Sequence, residues 1–208
     1  MCETGSQREY WAEVYARRDP TDVSWFEAHA EDSLAALQSV GATPEQGMVD
    51  VGSGASRLLD ALIARGFHDL TAVDVSEQAL AHSRERLGEG EKTVCWVTTN
   101  VLEWRPERRY DLWHDRALFH FLTAAEDRDR YRSVLSRALA PGGRVVIATF
   151  AEDGPTQCSG LPTARYSAQE LAAEMSDLTV VSSSRVLHRT PAGAEQPFTW
   201  LCLQSPAT

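Results

Sequence analysis

A glycine turn and an acidic residue twenty positions after it are the features of the sequence that most clearly predict a binding site. The turn has the sequence DVGSG (50–54), and the acid is Asp74. Because glycine has no Cβ, the backbone at Gly52 and Gly54 can bend sharply and approach a ligand closely. The Asp74 carboxylate can accept two hydrogen bonds from a ribose diol. These residues predict a nucleoside site, although a simple strand-to-helix turn with a capping aspartate would have the same pattern.

The same turn argues against a dinucleotide. A dinucleotide site has a third glycine in the pattern G-x-G-x-x-G, which lets the pyrophosphate rest on a helix N-terminus. Arg57 occupies that position here. The carboxylate of Asp50 would also repel a pyrophosphate, whereas it suits a ligand that carries a positively charged amine or sulfonium. A nicotinamide-dependent oxidoreductase is therefore the weakest of the functions considered.

Predicted strands and helices alternate through most of the chain. Apolar β-branched runs predict the strands, and apolar residues at helical spacing predict the helices. The predicted strands are 47–51, 70–75, 93–98, 110–114, 143–150, 178–188 and 197–204, and the predicted helices between them are 55–66, 76–88 and about 126–139. Strands this continuous suit a sheet covered on both faces, so we predict an α/β, doubly wound, mostly parallel sheet with an antiparallel C-terminal hairpin. Ligands bind such sheets at the carboxyl ends of the strands, where the glycine turn lies.

The first 40 residues precede this sheet and are rich in aromatic side chains. Trp11 and Tyr15 recur at helical spacing, Trp25 follows them, and a second helix is expected over about 31–40. These rings could form a lid over a ligand, or they could attach an additional helix to the core. Periodicity alone does not distinguish the two.

Composition excludes several classes of partner. The 208 residues are 43% hydrophobic, and 20 basic against 30 acidic residues give a net charge of −10, which repels phosphate backbones and anionic lipids. We therefore expect neither a nucleic-acid nor a membrane partner. The cysteines, Cys2, Cys95, Cys158 and Cys202, are far apart, which disfavours a zinc site and a disulfide scaffold. With no signal-peptide pattern in the first ten residues, we expect a cytoplasmic protein.

The motifs as a series resemble a known enzyme family. DVGSGAS, VDVS, TTNV, YDLWHDRALFHFL and LAPGGRVVIATF occur over residues 45–150 in an order and spacing similar to those of class I S-adenosylmethionine-dependent methyltransferases. This resemblance implies a Rossmann-like, seven-stranded fold and S-adenosylmethionine as cofactor. It also implies one methyltransferase domain over 1–208, divided into a lid (1–40), a cofactor-binding core (45–150) and a substrate loop with the terminal hairpin (151–208). Ser56 departs from the family, which commonly has a third glycine there.

The resemblance also implies which residues bind the cofactor. They are Trp11, Tyr15, Trp25, Asp50, Gly52, Ser53, Gly54, Asp74, Val75, Asn100, Val101 and Asp115. Asp50 and the glycine backbone would hold the methionine amino end, and Asp74 the ribose hydroxyls. Val75, Asn100 and Val101 would meet the adenine, although Asn100 could be only a turn residue. The aromatic rings would stabilise the sulfonium by cation–π attraction, worth about 0.5–2 kcal/mol each.

The acceptor side has four candidate catalytic residues: His114, Asp115, His120 and Cys158. A histidine or carboxylate there could remove a proton from the acceptor, which matters for a thiol because its pKa of ~8.5 leaves it mostly protonated at neutral pH. Each candidate also has a structural interpretation. His120 could belong to the core, Cys158 could be an unreactive thiol, and Arg116 could form an internal ion pair.

Two shorter resemblances imply different methyl acceptors. Residues 110–131 resemble thiopurine and related thiol S-methyltransferases, and the N-terminal YWAEVYARR…SWFE segment resembles small protein-lysine methyltransferases. The leading hypothesis is methyl transfer to a small soft nucleophile, a thiol or related chalcogen anion. A protein-lysine N-methyltransferase and a catalytically inactive cofactor-binding partner protein are the alternatives. The oligomeric state is open.

Overall fold

The computed structural model describes the backbone of residues 4–207 and the side chains of residues 8–207. Cys2 therefore lies outside the described residues. The helices are α1 (Thr4–Arg17), α2 (Glu31–Ser39), α3 (Leu58–Ile63), α4 (Glu77–Leu87), α5 (Ala125–Ala138) and α6 (Ala168–Glu174). The strands are β1 (Met48–Val51), β2 (Leu70–Asp74), β3 (Val94–Thr98), β4 (Tyr110–Arg116), β5 (Leu139–Phe150), β6 (Gln157–Cys158), β7 (Leu161–Pro162), β8 (Thr179–Arg189) and β9 (Glu195–Gln204). Across the described residues, no helix is long and apolar enough to cross a membrane.

Seven of the strands form one twisted sheet in the order β3-β2-β1-β4-β5-β9-β8. The first five strands in this order are parallel, and β9 pairs antiparallel with both β5 and β8. This arrangement confirms the predicted doubly wound, mostly parallel sheet with an antiparallel C-terminal hairpin. Val51 lies opposite Val73 on one side and Asp115 on the other. The register therefore brings the carboxyl ends of β1, β2 and β4 together.

Apolar side chains cover the sheet on both faces. On one face, helices α2, α3 and α4 contribute Leu37, Leu62 and Leu80 to a buried cluster. On the other face, α5 and α6 contribute Tyr131 and Leu171 to a second buried cluster. Burial on both faces explains why the central strands are apolar throughout instead of alternating with polar residues.

The two faces separate neighbouring residues of β4. Successive side chains of a strand point to opposite faces. Leu112 packs in the cluster beside α2 and α3, and Trp113 packs in the cluster beside α5. By the same alternation, His114 contacts Ser33 of α2, and Asp115 contacts Tyr131 of α5.

The observed elements differ from the prediction in three places. The helix expected over 55–66 is shorter, because the chain after the glycine turn runs irregularly to Leu58, whose N–H donates to Ser56 Oγ at 3.0 Å. The fifth strand begins at Leu139, four residues earlier than predicted. The substrate loop expected after the fifth strand contains the small β6–β7 hairpin. Helix α4 is capped by Ser76, whose Oγ accepts from the N–H of Ala79.

Candidate functional site

Two adjoining cavities lie at the carboxyl ends of β1, β2 and β4. The larger, which we call the main cavity, has a volume of about 270 Å³ and is bounded by α1, by residues 117–123 and by the β6–β7 hairpin. The smaller, the turn cavity, has a volume of about 50 Å³ and lies between the glycine turn and residues 20–33. Trp25, Gly52 and Arg116 line both. Together the cavities form one elongated site over the glycine turn.

The glycine turn approaches its neighbours so closely that side chains are excluded. Gly52 and Gly54 have φ values of +64° and +55°, which favour glycine. A Cβ on Gly52 would lie 2.7 Å from the Leu118 side chain, and one on Gly54 would lie 2.6 Å from the Tyr15 hydroxyl. The turn therefore needs both glycines for space as well as for backbone conformation.

Asp74 joins the turn to the main cavity. Its carboxylate accepts hydrogen bonds from the backbone N–H groups of Gly54 and Ser76, both at 2.8 Å. Asp74 ends β2 and lines the main cavity. Burial raises the pKa of this carboxyl to about 6, and the two N–H groups oppose that rise. An ionised Asp74 still has lone pairs that can accept from two hydroxyls of a ligand.

Asp50 provides an unpaired buried carboxylate oxygen. Its Oδ1 lies 2.7 Å from His114 Nδ1, and His114 Nε2 lies 3.0 Å from Ser33 Oγ. The other oxygen, Oδ2, is buried and has no hydrogen-bond partner among the described residues, and the same holds for Ser53 Oγ. An unpaired carboxylate oxygen is costly to bury. Its position in the turn cavity fits a ligand ammonium group.

The predicted adenine-binding residues line the main cavity next to Asp74. Val75, Asn100 and Val101 all belong to its wall. Asn100 Oδ1 also accepts from the N–H of Leu102 at 3.0 Å, which caps a short 3₁₀ turn over Val101–Glu103. Asn100 is thus a turn residue and a cavity residue at once, so the two interpretations of it are compatible.

Aromatic rings form the wall opposite the sheet. The ring of Trp11 packs against those of Trp25 and Phe121, with centroids 5.7 Å and 5.3 Å apart. The Tyr10 hydroxyl donates to the carbonyl of Ser159, which ties α1 to the β6–β7 hairpin. Burial, followed by the nearby Asp74 charge, raises the pKa of Tyr15 well above its usual value, so Tyr15 is a neutral hydroxyl. The aromatic N-terminal segment therefore covers the site.

Asp115 was predicted both as a base and as a cofactor ligand, but the structure places it where it could act as neither. It is fully buried and lines neither cavity. One oxygen accepts from the N–H groups of Leu118 and Phe119, and the other accepts from the Tyr131 hydroxyl at 2.6 Å. Although burial raises its pKa to about 6, its lone pairs are committed to these donors. The prediction for Asp115 was wrong because its side chain points to the α5 face of the sheet.

His120, predicted as a base, belongs to the core. Its ring is fully buried between Phe121 and Phe150, with both centroids 4.5 Å away, and its Nδ1 accepts from the Phe150 N–H. Burial, with a further contribution from Arg116, lowers its pKa to about 3, so the imidazole is neutral at physiological pH. It does not line the main cavity. The structural interpretation of His120 is therefore the correct one.

The other two catalytic candidates lie in different parts of the site. His114 lines the turn cavity and contacts Asp50, away from the aromatic wall. Cys158 lines the main cavity, and burial raises the pKa of its thiol. Of the four candidates, only Cys158 borders the main cavity, and it does so as a thiol.

Arg116 has a larger place in the site than the sequence indicated. Its guanidinium donates to the carbonyl of Trp25 at 3.0 Å and to Glu27 at 2.7 Å, which confirms an internal ion pair. Burial lowers its pKa, and Glu27 opposes that change, so the group stays charged. It lines both cavities. The sequence indicated an ion pair for Arg116 but not its partner, because Glu27 lies 89 residues away in the N-terminal segment.

A family model and one group of curated proteins match the chain. The model, described as a methyltransferase domain, matches residues 49–145, a little under half of the chain. The eEF1A lysine and N-terminal methyltransferase of Danio rerio is 24% identical over 156 residues, which cover 73% of this chain and 22% of that protein. The chain thus spans about a fifth of the length of this relative.

Solved structures share the whole fold. One, of the Burkholderia thailandensis 1,6-didemethyltoxoflavin-N1-methyltransferase with 1,6-didemethyltoxoflavin and S-adenosylhomocysteine, has a TM-score of 0.75 at 23% identity and covers 99% of this chain and 92% of that one. Another solved structure carries the description "Conversion of a Disulfide Bond into a Thioacetal Group during Echinomycin Biosynthesis". It has a TM-score of 0.78 at 19% identity, and the match covers 97% of this chain and 94% of that chain. At these identities the likeness shows a common fold.

The geometry fits the cofactor that these comparisons imply. Asp50 would take the ammonium group, Asp74 the ribose hydroxyls, and Val75, Asn100 and Val101 the adenine, in cavities that share one glycine turn. S-adenosylmethionine is thus the methyl donor. The match to a methyltransferase domain over residues 49–145, the shared fold and this site together support S-adenosylmethionine-dependent methyltransferase activity.

Proposed function

We propose that the chain methylates a small soft nucleophile, a thiol or related chalcogen anion, in the main cavity. The observation that carries the proposal is the composition of the cavity wall. Among the described residues that line it, none is a histidine, and Asp74 is the one carboxylate. The backbone N–H groups of Gly54 and Ser76 hold Asp74 beside the predicted nucleoside site. The described residues of the wall therefore offer the acceptor neither a histidine nor a second carboxylate as a general base.

If the cavity provides no base, the acceptor must already be deprotonated when it enters. A free thiol with a pKa of ~8.5 is a few per cent thiolate at neutral pH, whereas a lysine ammonium with a pKa of ~10.4 is deprotonated far less often. Arg116 is the one basic side chain among the described residues of the wall and is paired with Glu27, so the support for a soft anionic acceptor comes from this difference in ionisation.

The chain contributes enclosure and orientation. When bound, S-adenosylmethionine supplies a methyl group on a positively charged sulfur. The rings of Trp11, Trp25 and Phe121 provide faces that stabilise positive charge, and a bound cofactor and acceptor would displace water from between them. Exclusion of water leaves a thiolate poorly solvated and hence more reactive. The link between Tyr10 and Ser159 keeps this wall closed over the acceptor.

A protein-lysine N-methyltransferase is the second candidate, and the curated relative favours it. That relative is an eEF1A lysine and N-terminal methyltransferase, of which the chain covers 22%. A lysine ammonium would have to lose a proton beside a wall whose described residues include no histidine and no carboxylate other than Asp74. These features support the small acceptor over the lysine. A cofactor-binding protein without catalysis is the remaining alternative.

The test compares a matched thiol and amine. Purified protein with S-adenosylmethionine is given 2-phenylethanethiol and 2-phenylethylamine, and also sulfide and selenite, and S-adenosylhomocysteine is measured by chromatography. We expect turnover of at least one sulfur or selenium compound and none of the amine. An Asp74→Ala variant serves as the inactive control. Turnover of the amine alone would overturn the proposal.

A second experiment distinguishes the lysine alternative. Cell lysate is incubated with the protein and S-adenosylmethionine labelled in its methyl group. The proposal predicts that label appears in small molecules. A discrete labelled protein band, lost with the Asp74→Ala variant, would favour the lysine methyltransferase. Tight binding of the cofactor with no turnover of any acceptor would favour the inactive binding protein.

A further inference from the structure

A buried hydrogen-bonded chain links helix α2 to the glycine turn. It runs from Ser33 on α2 through His114 on β4 to Asp50 on β1, with distances of 3.0 Å and 2.7 Å. The three residues are 1%, 2% and 3% exposed. Three elements far apart in sequence therefore converge on one carboxylate, the one whose second oxygen has no partner among the described residues.

The chemistry of the three groups fixes the direction of the hydrogen bonds. An ionised carboxylate only accepts, so His114 Nδ1 must carry a proton and donate it to Asp50 Oδ1. In the neutral imidazole, Nε2 is then an acceptor, and the Ser33 hydroxyl can donate to it. Both hydrogen bonds can therefore form when the imidazole is neutral. Oδ2 of Asp50 takes no part in these hydrogen bonds, so it is available to a ligand.

We propose that His114 and Ser33 are positioning residues for the amino-acid end of the cofactor. They hold Asp50 in one rotamer and leave its charge for a ligand ammonium in the turn cavity, which Ser33, Asp50 and His114 all line. A carboxylate fixed before binding loses little side-chain entropy when the ammonium arrives. His114, which the sequence presented as a candidate base, thus acts through Asp50 and not on the acceptor.

The geometry also gives α2 a part in cofactor binding. Ser33 is a residue of the N-terminal segment, and it reaches the cofactor site only because α2 packs on the sheet through Leu37. Correct packing of α2 and a correctly held Asp50 are therefore linked. This role is independent of the acceptor and does not rest on the proposed thiol specificity.

The test compares two ligands that differ only at the amino-acid end. S-adenosylhomocysteine carries the ammonium group, and 5′-methylthioadenosine has the same nucleoside and sulfur without it. His114→Leu removes the donor to Asp50, so we expect its affinity for S-adenosylhomocysteine in calorimetry to fall by about tenfold or more. Its affinity for 5′-methylthioadenosine should change by less than about twofold, because Asp74 and the adenine-binding residues are untouched.

Two further variants separate positioning from folding. His114→Asn keeps an N–H at the place of Nδ1, so it should recover most of the affinity for S-adenosylhomocysteine. Ser33→Ala removes one hydroxyl, and we expect a smaller loss of about threefold, again confined to that ligand. An equal loss for both ligands in His114→Leu and Ser33→Ala would mean a purely structural role and would overturn the proposal. Wild-type affinity of both variants for S-adenosylhomocysteine would overturn it as well.

Discussion

Replacement of Asp74 by asparagine should remove most of the cofactor affinity and its dependence on pH. Asp74 accepts two backbone N–H groups at 2.8 Å and faces the main cavity, so it has lone pairs left for a ligand. Hydrogen bonds to a charged group contribute about 1.5–3 kcal/mol, which corresponds to about 10- to 100-fold in the dissociation constant. The amide of the Asp74→Asn variant would keep one acceptor atom, so we expect a loss near the lower end of that range at neutral pH.

The pH dependence follows from the raised pKa. Burial sets the pKa of Asp74 at about 6 in the ligand-free chain. Hydroxyl donors of a ligand favour the ionised carboxylate, so protons compete with binding. The affinity of the wild type for S-adenosylhomocysteine should therefore be constant above about pH 7 and fall as the pH drops through 6, by about tenfold at pH 5. The Asp74→Asn variant has no carboxyl at this position and should show no such fall.

Titration calorimetry of S-adenosylhomocysteine from about pH 5 to about pH 8 measures both effects. The matched control is Asp153→Asn, the same chemical change at an exposed carboxylate that pairs with Arg185. It should leave the affinity and its pH dependence unchanged. A wild-type affinity that does not vary with pH, or an Asp74→Asn variant that keeps the wild-type slope, would refute the role assigned to Asp74.

Three other substitutions test the separation of core from site. Tyr131→Phe leaves a buried oxygen of Asp115 without its donor, so urea unfolding should show a loss of about 1–3 kcal/mol, with no change in cofactor affinity. His120→Leu removes a ring that is already neutral, so kcat/KM should keep its pH profile, and a lost ionisation would reinstate His120 as a base. Gly54→Ala places a methyl group 2.6 Å from the Tyr15 hydroxyl at φ +55°, so calorimetry should show at least about tenfold weaker binding.

The architecture could be predicted from the sequence because its signals are local. Buried parallel strands appear as continuous apolar runs, and the cap of α4 at Ser76 is a single side chain next to its partner Ala79. The short β6–β7 hairpin was missed because two-residue strands have no periodicity. It depends instead on the positive φ values of Ser159 and Gly160 and on the contact with Tyr10.

The grouping of the predicted cofactor-binding residues could be inferred for a related reason. Asp50, Gly54 and Asp74 lie where β1 and β2 end, and in a parallel sheet all such ends lie at one edge. Topology alone therefore brings them together. The ion pair of Arg116 with Glu27 and the chain through Ser33 could not be inferred, because they depend on how the N-terminal segment packs on the sheet.

The structure separates the candidate catalytic residues of the acceptor side, and the reason bears on the chemistry. His114 and Asp115 are adjacent in sequence and look like a cluster, but in a strand adjacent side chains leave on opposite faces. His114 therefore forms a hydrogen bond with Asp50, and Asp115 accepts a hydrogen bond from the Tyr131 hydroxyl. His120, a few residues further on, turns into the core against Phe150. Among the described residues, neither histidine nor Asp115 therefore lines the main cavity, and this arrangement is what supports the proposal of an acceptor that enters already nucleophilic.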